Sequence, residues 1–320
     1  MDQNQGQHHE QHHEQHHEQS FGAVPWEVLA MLVLAGAAAG YAVALVAARR
    51  RGPWPAHRTA LWYLGLLCAA VALGPVAAAA RTSFTAHMLG HVLLGMVAPL
   101  LLVLAAPVTL LLRALPVGGA RSVTRVLRGP WVRTVAHPVA AGLLNAGGLW
   151  LLYTTDLYHL VHTSAPLGLV VHAHVLLAGY LFTASLVGPD ARLHPVSLRV
   201  RATVLVLFVT AHSVLAKWLY AHPPAGVDPL DGRTGAQLMY YGGDVVDVAL
   251  MVLLAAGWYR AAGRQGGRAA GRQGGRAAGR RGGRATGRPG GMRVERIVPT
   301  VDEASSGRGA VRSEGASDDR

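Results

Sequence analysis

Seven ionisable residues stand inside apolar runs of this sequence. His87 and His91 lie in TSFTAHMLGHVLLGMVAPLLLVLAAPVTLLL, which begins at Thr82. His172 and His174 lie in VVHAHVLLAGYLF, His212 in FVTAHSVLAKW, and Asp244 and Asp247 in YYGGDVVDVALMV. Neutral imidazole and carboxylate are ligands for transition metals, and copper and zinc suit imidazole. A carboxylate also accepts the free ring N–H of a ligating histidine and fixes its tautomer. The same residue types build proton relays within membranes, and histidines on facing helices hold haem. A lone histidine in such a run is commonly a hydrogen-bonded structural group. Copper(I) favours softer sulfur ligands; Met88 and Met96 are near in sequence, but on faces that diverge from the histidines.

Spacing sorts these residues by face. His87 and His91, at i and i+4, lie about 40° apart around a helix, and Asp244 and Asp247, at i and i+3, about 60° apart. Each pair shares a face. His172 and His174 are about 200° apart, so one of them points at a common centre. Gly90 and Gly95 flank His91, and Gly242 and Gly243 precede Asp244. Small residues there let helices approach closely.

The elements that must position these groups are membrane helices. The chain is 51% hydrophobic and 14% charged, against about 25% charged in soluble domains. Its apolar residues fall into long runs, each near the ~20 residues that cross a bilayer. Hydropathy predicts seven spans: 24–48, 59–80, 83–112, 138–155, 165–187, 198–220 and 236–259. The third is long, and Pro99 and Pro107 predict a kink or break near its inner end. The expected fold is an all-α polytopic membrane helical bundle. ARRRGPWPAHR, LRALPVGGARSVTRVLRGPWVR and GPDARLHPVSLRVR join alternate spans and are arginine-rich; the other loops hold few basic residues. The positive-inside rule then predicts an N-out, C-in orientation in a plasma membrane.

Counted along the helices at 1.5 Å per residue, the polar groups share a depth. His87 and His91 fall roughly 6–12 Å below the outer end of their span, and His172 and His174 roughly 10–14 Å. His212 falls roughly 12 Å below, and Asp244 and Asp247 roughly 12–17 Å. Four spans thus put imidazole and carboxylate in one outer-leaflet layer, which favours a metal site.

The ends of the chain differ in kind. Residues 1–22 hold HHEQHHEQHHEQ, read as a disordered, extracytoplasmic His-rich tail able to gather divalent metal near the site. Residues 23–260 make the transmembrane domain. Residues 261–320 are an Arg/Gly repeat and polar end, read as a disordered cytoplasmic tail. Its charge suits anionic lipid headgroups, and no specific nucleic acid is expected. The N-terminus is not basic, so the first apolar run is expected to stay as an anchor. Cys68 is read as a small core residue, since one cysteine makes neither a disulfide framework nor a CxxC site.

The stretch FTAHMLGHVLLGMVAPLLLVLAAPVTLLLRAL closely resembles the signature of the CtaG family of bacterial membrane proteins. That pattern, His-Met-x-x-His followed by Ala-Pro-Val-Thr, is met by His87, Met88, His91 and the APVT beginning at Ala106. The HPV at His137, the VVHAHVLLAGYLF around His172 and His174, His212, and GGDVVD with Asp244 and Asp247 resemble later family segments. Val246 stands where family members often have proline. The resemblance covers roughly residues 57–259. It implies seven helices and a role in assembling cytochrome c oxidase at the stage of copper insertion. The expected function is a non-enzymatic assembly factor holding or delivering copper, with zinc or haem as the other cofactors weighed. The expected site is His87, His91, His172, His174, His212, Asp244 and Asp247. Expected partners are cytochrome c oxidase subunits, membrane lipid and a second copy of the chain. A copper or proton transporter and a metal-free scaffold for oxidase assembly remain the alternative readings.

Overall fold

The computed structural model describes the backbone of residues 26–188 and 196–285, with side chains as far as residue 263 except at 162 and 165. The predicted His-rich tail at 1–22 and the polar end beyond 285 lie outside the described residues. The described chain is helical, without a strand among the described residues: α1 (Trp26–Ala48), α2 (Ala56–Val71), α3 (Ala77–Ala79), α4 (Phe84–Val92), α5 (Ala98–Leu104), α6 (Pro107–Ala114), α7 (Val117–Leu127), α8 (Pro130–Val135), α9 (Pro138–Thr154), α10 (Leu157–Thr163), α11 (Ala165–Val187), α12 (Leu198–Ala221) and α13 (Pro229–Ala285). Contacts divide the chain into Met1–Arg264, which holds the bundle, and Gln265–Arg320. The Arg/Gly repeat, expected to be disordered from residue 261, is helical backbone as far as Ala285.

Six segments are long and apolar enough to cross a bilayer: Trp26–Arg51, Ala56–Ala79, Phe84–Leu104, Pro166–Val187, Leu198–Ala221 and Pro229–Gly263. This is a multi-pass membrane bundle. The remaining predicted span, 138–155, is α9, with 17 residues. At 1.5 Å per residue it is about 25 Å long, the lower end of the spanning range.

Prolines set the breaks. Pro75 sits inside a π-helical turn, Ala72–Val76, that joins α2 to α3. A second π-helical turn, Leu93–Val97, precedes Pro99. A proline ring clashes with the carbonyl four residues before it and cannot donate to it. For Pro99 that carbonyl belongs to Gly95, and it lies against Gly179 of α11, where any side chain would collide with it. The third span therefore does not run to residue 112 as expected. It ends at Leu104, turns at Ala106 with φ 53° and ψ 55°, and restarts as α6. Pro107 disfavours right-handed helix at the residue before it, and Ala106 takes the left-handed region instead.

α11 packs on α5 and α9, α9 on α12, and α5 on α2. Along α13 a buried stripe runs through Ala236, Met239, Gly243, Val246, Asp247, Leu250 and Leu254, at the spacing of one helix face. Gly235 lies against Phe84, and Gly242 against Val92, so α4 and α13 descend side by side in the same direction. A carboxylate fixes their register. Asp231 accepts from the Phe84 N–H at 2.6 Å, the Thr85 N–H at 3.1 Å, the Thr85 hydroxyl at 2.6 Å and the Ser83 hydroxyl at 3.1 Å. The first N–H groups of a helix have no partner within it; here a neighbouring helix supplies one.

Candidate metal site

His91 lies in the last turn of α4, just before the π-helical turn. Its ring faces that of His212 on α12, with centroids 5.9 Å apart and planes at 31°. His212 is stacked on Phe208, one turn away on its own helix, at 5.9 Å and 18°. Two glycines make the room. A side chain at Gly243 of α13 would overlap the His212 ring, and one at Gly95 would stand 3.4 Å from His91 Nδ1. Asp247 follows Gly243 by one turn on the same face, so its Cα lies about 6 Å further along α13. Exposure is 8% for His91, 2% for His212 and 1% for Asp247.

These three side chains share a property. His91 Nε2, both ring nitrogens of His212 and both carboxylate oxygens of Asp247 are buried without a hydrogen-bond partner among the described residues. An unsatisfied buried polar group costs about 1–3 kcal/mol, and more when charged. Three such groups on three helices, two of them with rings in proximity, fit a cation. Imidazole nitrogens would donate to it, and its charge would offset that of the carboxylate.

A cavity of about 40 Å³ opens on the other side of His91. By volume it has room for an ion or roughly three waters. His87, His172 and Tyr153 line it together with His91. His87 Nε2 shares a hydrogen bond with the Tyr153 hydroxyl at 3.0 Å, and that hydroxyl reaches Met88 Sδ at 3.8 Å. Met88 thus stands closer to the histidine chemistry than its helix face suggests. His87 also meets Tyr158 of α10 edge-on at 5.1 Å. Burial, with the Asp231 charge, pushes the Tyr158 phenol up to about 12, so it remains protonated. His172 Nδ1 bonds the Gly168 carbonyl at 2.7 Å, and its ring is stacked on Trp26 of α1 at 5.3 Å.

His174 points elsewhere. Its ring lies over Gly148 of α9, with Nε2 3.2 Å from the Leu144 carbonyl. Asp244 is partly exposed beside Gly243. The seven residues therefore divide into a buried trio, His91, His212 and Asp247, a pair lining the cavity, His87 and His172, and two at the margin. Among the described residues no group of three or more His, Cys, Asp or Glu is placed to hold a metal ion as it stands. Of the seven, His91 and His212 approach each other as a ring pair. Sequence reasoning passed over Tyr153, Trp26 and Asp231. Tyr153 carried no signal beyond an aromatic near a span end; Asp231 stood one helical turn outside the predicted seventh span.

The chain matches the sequence model of a family described as cytochrome c oxidase caa3 assembly factor (Caa3_CtaG) over residues 39–261. It belongs to this family. The match spans every helix that carries the trio and the cavity. Among curated proteins, Mb0105 of Mycobacterium bovis is 35% identical over 184 residues, covering 52% of this chain and 27% of that protein; it is described as uncharacterized. ML1998 of Mycobacterium leprae, also uncharacterized, is 32% identical over 168 residues, covering 47% of this chain and 24% of its own length. The chain thus spans about a quarter of the curated relatives it matches. No solved structure matches it. Apolar helices and a bacterial family of oxidase assembly factors together make this a multi-pass protein of the plasma membrane.

Proposed function

We propose that this protein serves cytochrome c oxidase assembly by holding copper, as cargo, between His91 and His212, with Asp247 as ligand or as the group that orients and neutralises. The observation that supports this reading is the unsatisfied trio inside a membrane bundle. His87 and His172, around the adjoining cavity, are the groups past which copper enters or leaves. His174 and Asp244 stand at the margin and contribute less. In the N-out orientation the trio lies in the outer half of the bilayer and the partner is an oxidase subunit whose copper centre faces outward. No bond-making step is assigned, and the protein acts as a carrier rather than an enzyme.

Transport across the membrane is the weaker alternative. Past Asp247 the α13 stripe continues as Leu250 and Leu254, in one buried cluster with Phe182, Leu186 and Phe208, which favours retention over a continuous polar path.

The test replaces His91 and His212 with alanine, singly, in the full chain. Membrane insertion is confirmed, then copper per protein is measured by mass spectrometry alongside oxidase activity in the host membrane. The expected result is loss of both. Unchanged copper and unchanged respiration defeat the assignment. Copper loss with normal oxidase moves the function to transport or storage.

A further inference from the structure

The end of the bundle away from the Asp231 lock carries a second, chemically different feature. α7 and its C-cap place Arg121, Arg125 and Arg128 at i, i+4 and i+7, on one face. They line an open hollow of about 710 Å³ together with Arg51 from the α1–α2 turn. Arg51 is anchored there, donating to the Leu112 carbonyl at 3.2 Å and the Leu115 carbonyl at 2.9 Å. The arginines of α7 thus face a guanidinium held in place by the end of α6.

This positive charge is uncompensated within the described chain. The described acidic residues are Glu27, Asp156, Asp228, Asp231, Asp244 and Asp247, and none stands on α6, α7, α8 or the α1–α2 turn. Among the described residues the single ion pair is Arg81–Glu27, at 2.9 Å, near the opposite end. Four guanidinium groups around one hollow repel each other unless an anion sits among them. Guanidinium forks match phosphate oxygens in pairs.

Exposed apolar side chains on the same segment, one of them (Val117) lining the hollow, say where that phosphate comes from. Val117 is 62% exposed, Val126 67% and Trp131, at the start of α8, 83%. A short helix with exposed valines, arginines on one face and a neighbouring tryptophan has the composition of an element lying in the headgroup layer. We infer that the hollow between α7 and the Arg51 turn binds the phosphate of an anionic phospholipid headgroup. The bound lipid holds the α6–α8 segment against the membrane surface. This inference is independent of the copper reading.

The test titrates full-length protein in neutral detergent with dihexanoyl phosphatidylglycerol, dihexanoyl phosphatidylcholine and inorganic phosphate. The variants are Arg121→Gln/Arg125→Gln/Arg128→Gln and the matching triple lysine variant. All three positions are exposed, and unchanged gel filtration and melting temperature verify the fold. Phosphatidylglycerol is expected to bind and phosphatidylcholine not. The glutamine variant should weaken phosphatidylglycerol by roughly a hundredfold, from about fivefold for each of the three arginines. The lysine variant should recover most of the loss, since charge is kept and only the fork geometry is gone. Equal affinity for the two lipids, or an unaffected glutamine variant, overturns the site. Inorganic phosphate binding as tightly as phosphatidylglycerol overturns the lipid assignment in favour of a free-anion site.

Discussion

Gly243→Ala isolates the geometry on which the proposed copper site depends. A Cβ at position 243 would overlap His212 Cε1 and stand 3.0 Å from its Nδ1. It therefore must push the ring, and the ring is held on its other side by Phe208. Forcing a methyl group into packing this tight costs about 1–3 kcal/mol. Helix propensity works the other way, since alanine is favoured over glycine by about 1 kcal/mol in a helix. The net expectation is a loss of roughly 0–2 kcal/mol, or up to about 8 °C in melting temperature at 2–4 °C per kcal/mol. The functional effect should be larger than the structural one, because a shift of the His212 ring separates it from His91, and bound copper should fall severalfold. Gly257→Ala on the same helix is the control. Nothing lies within 4 Å of a Cβ there, so it should melt at or above the parent temperature and keep its copper. Both variants are read by thermal unfolding in detergent and by metal analysis. A Gly243→Ala protein that melts higher than the parent by the same amount as Gly257→Ala would refute the contact itself. One that melts lower yet binds copper normally would refute the role of His212.

Asp231→Asn should lower the melting temperature by an amount equivalent to about 1–3 kcal/mol, since a charged acceptor for two N–H groups and two hydroxyls becomes a neutral amide with one oxygen; unfolding monitored by circular dichroism checks it. Asp247→Leu should raise stability by about 1–3 kcal/mol while abolishing copper binding, because an unpaired buried carboxylate gives way to an apolar group in an apolar stripe; a destabilised variant in the same unfolding assay would show that the carboxylate has a partner holding the fold. Ala106→Gly should be neutral or stabilising by up to about 1 kcal/mol, because glycine relieves the left-handed conformation at φ 53° while adding unfolded-state freedom, whereas Ala105→Gly, at an ordinary right-handed φ of −63°, relieves nothing and should only lose stability; melting temperatures of the pair decide.

Hydropathy and proline placement were enough to read the bundle from the sequence, because the bilayer leaves a span few alternatives to a helix of fixed length. The break near the inner end of the third span was legible from Pro107, but its placement at Ala106 and the loss of residues 105–112 from the span were not. Apolar sequence continues from Leu104 into α6, so hydropathy runs across the break that Pro107 imposes at Ala106. Alignment along the helix axes was legible for His91 and His212, whose rings meet, since rise per residue is nearly constant. Rotation about each helix axis was harder. His174 and His172 lie at similar depth, yet Gly148 opens a slot on α9 that takes one ring while the cavity takes the other. Gly95 and Gly243 were readable as places of close approach, but not which ring each would receive. Asp231 was invisible as an interhelical contact, because its four partners are 146 to 148 residues away.

Asp231 and Asp247, roughly four to five turns apart on α13, contrast a polar group whose charge the fold answers with one it leaves unanswered. Asp231 sits at the margin and satisfies donors that α4 would otherwise leave open, so its charge is answered within the chain. Asp247 sits in the densest part of the same stripe, where Val246 and Leu250 show that an apolar residue fits, and its charge is answered by nothing described. A sequence selected for stability alone would place leucine there and would not face two imidazoles across a glycine just above it. The arrangement costs stability three times over: at His91, at His212 and at Asp247. Such a cost is tolerated where a bound partner repays it in the working state, because binding to the folded form alone stabilises it by mass action. The copper-loaded protein should therefore unfold at a higher temperature than the metal-free one, and the difference should vanish when either histidine is alanine.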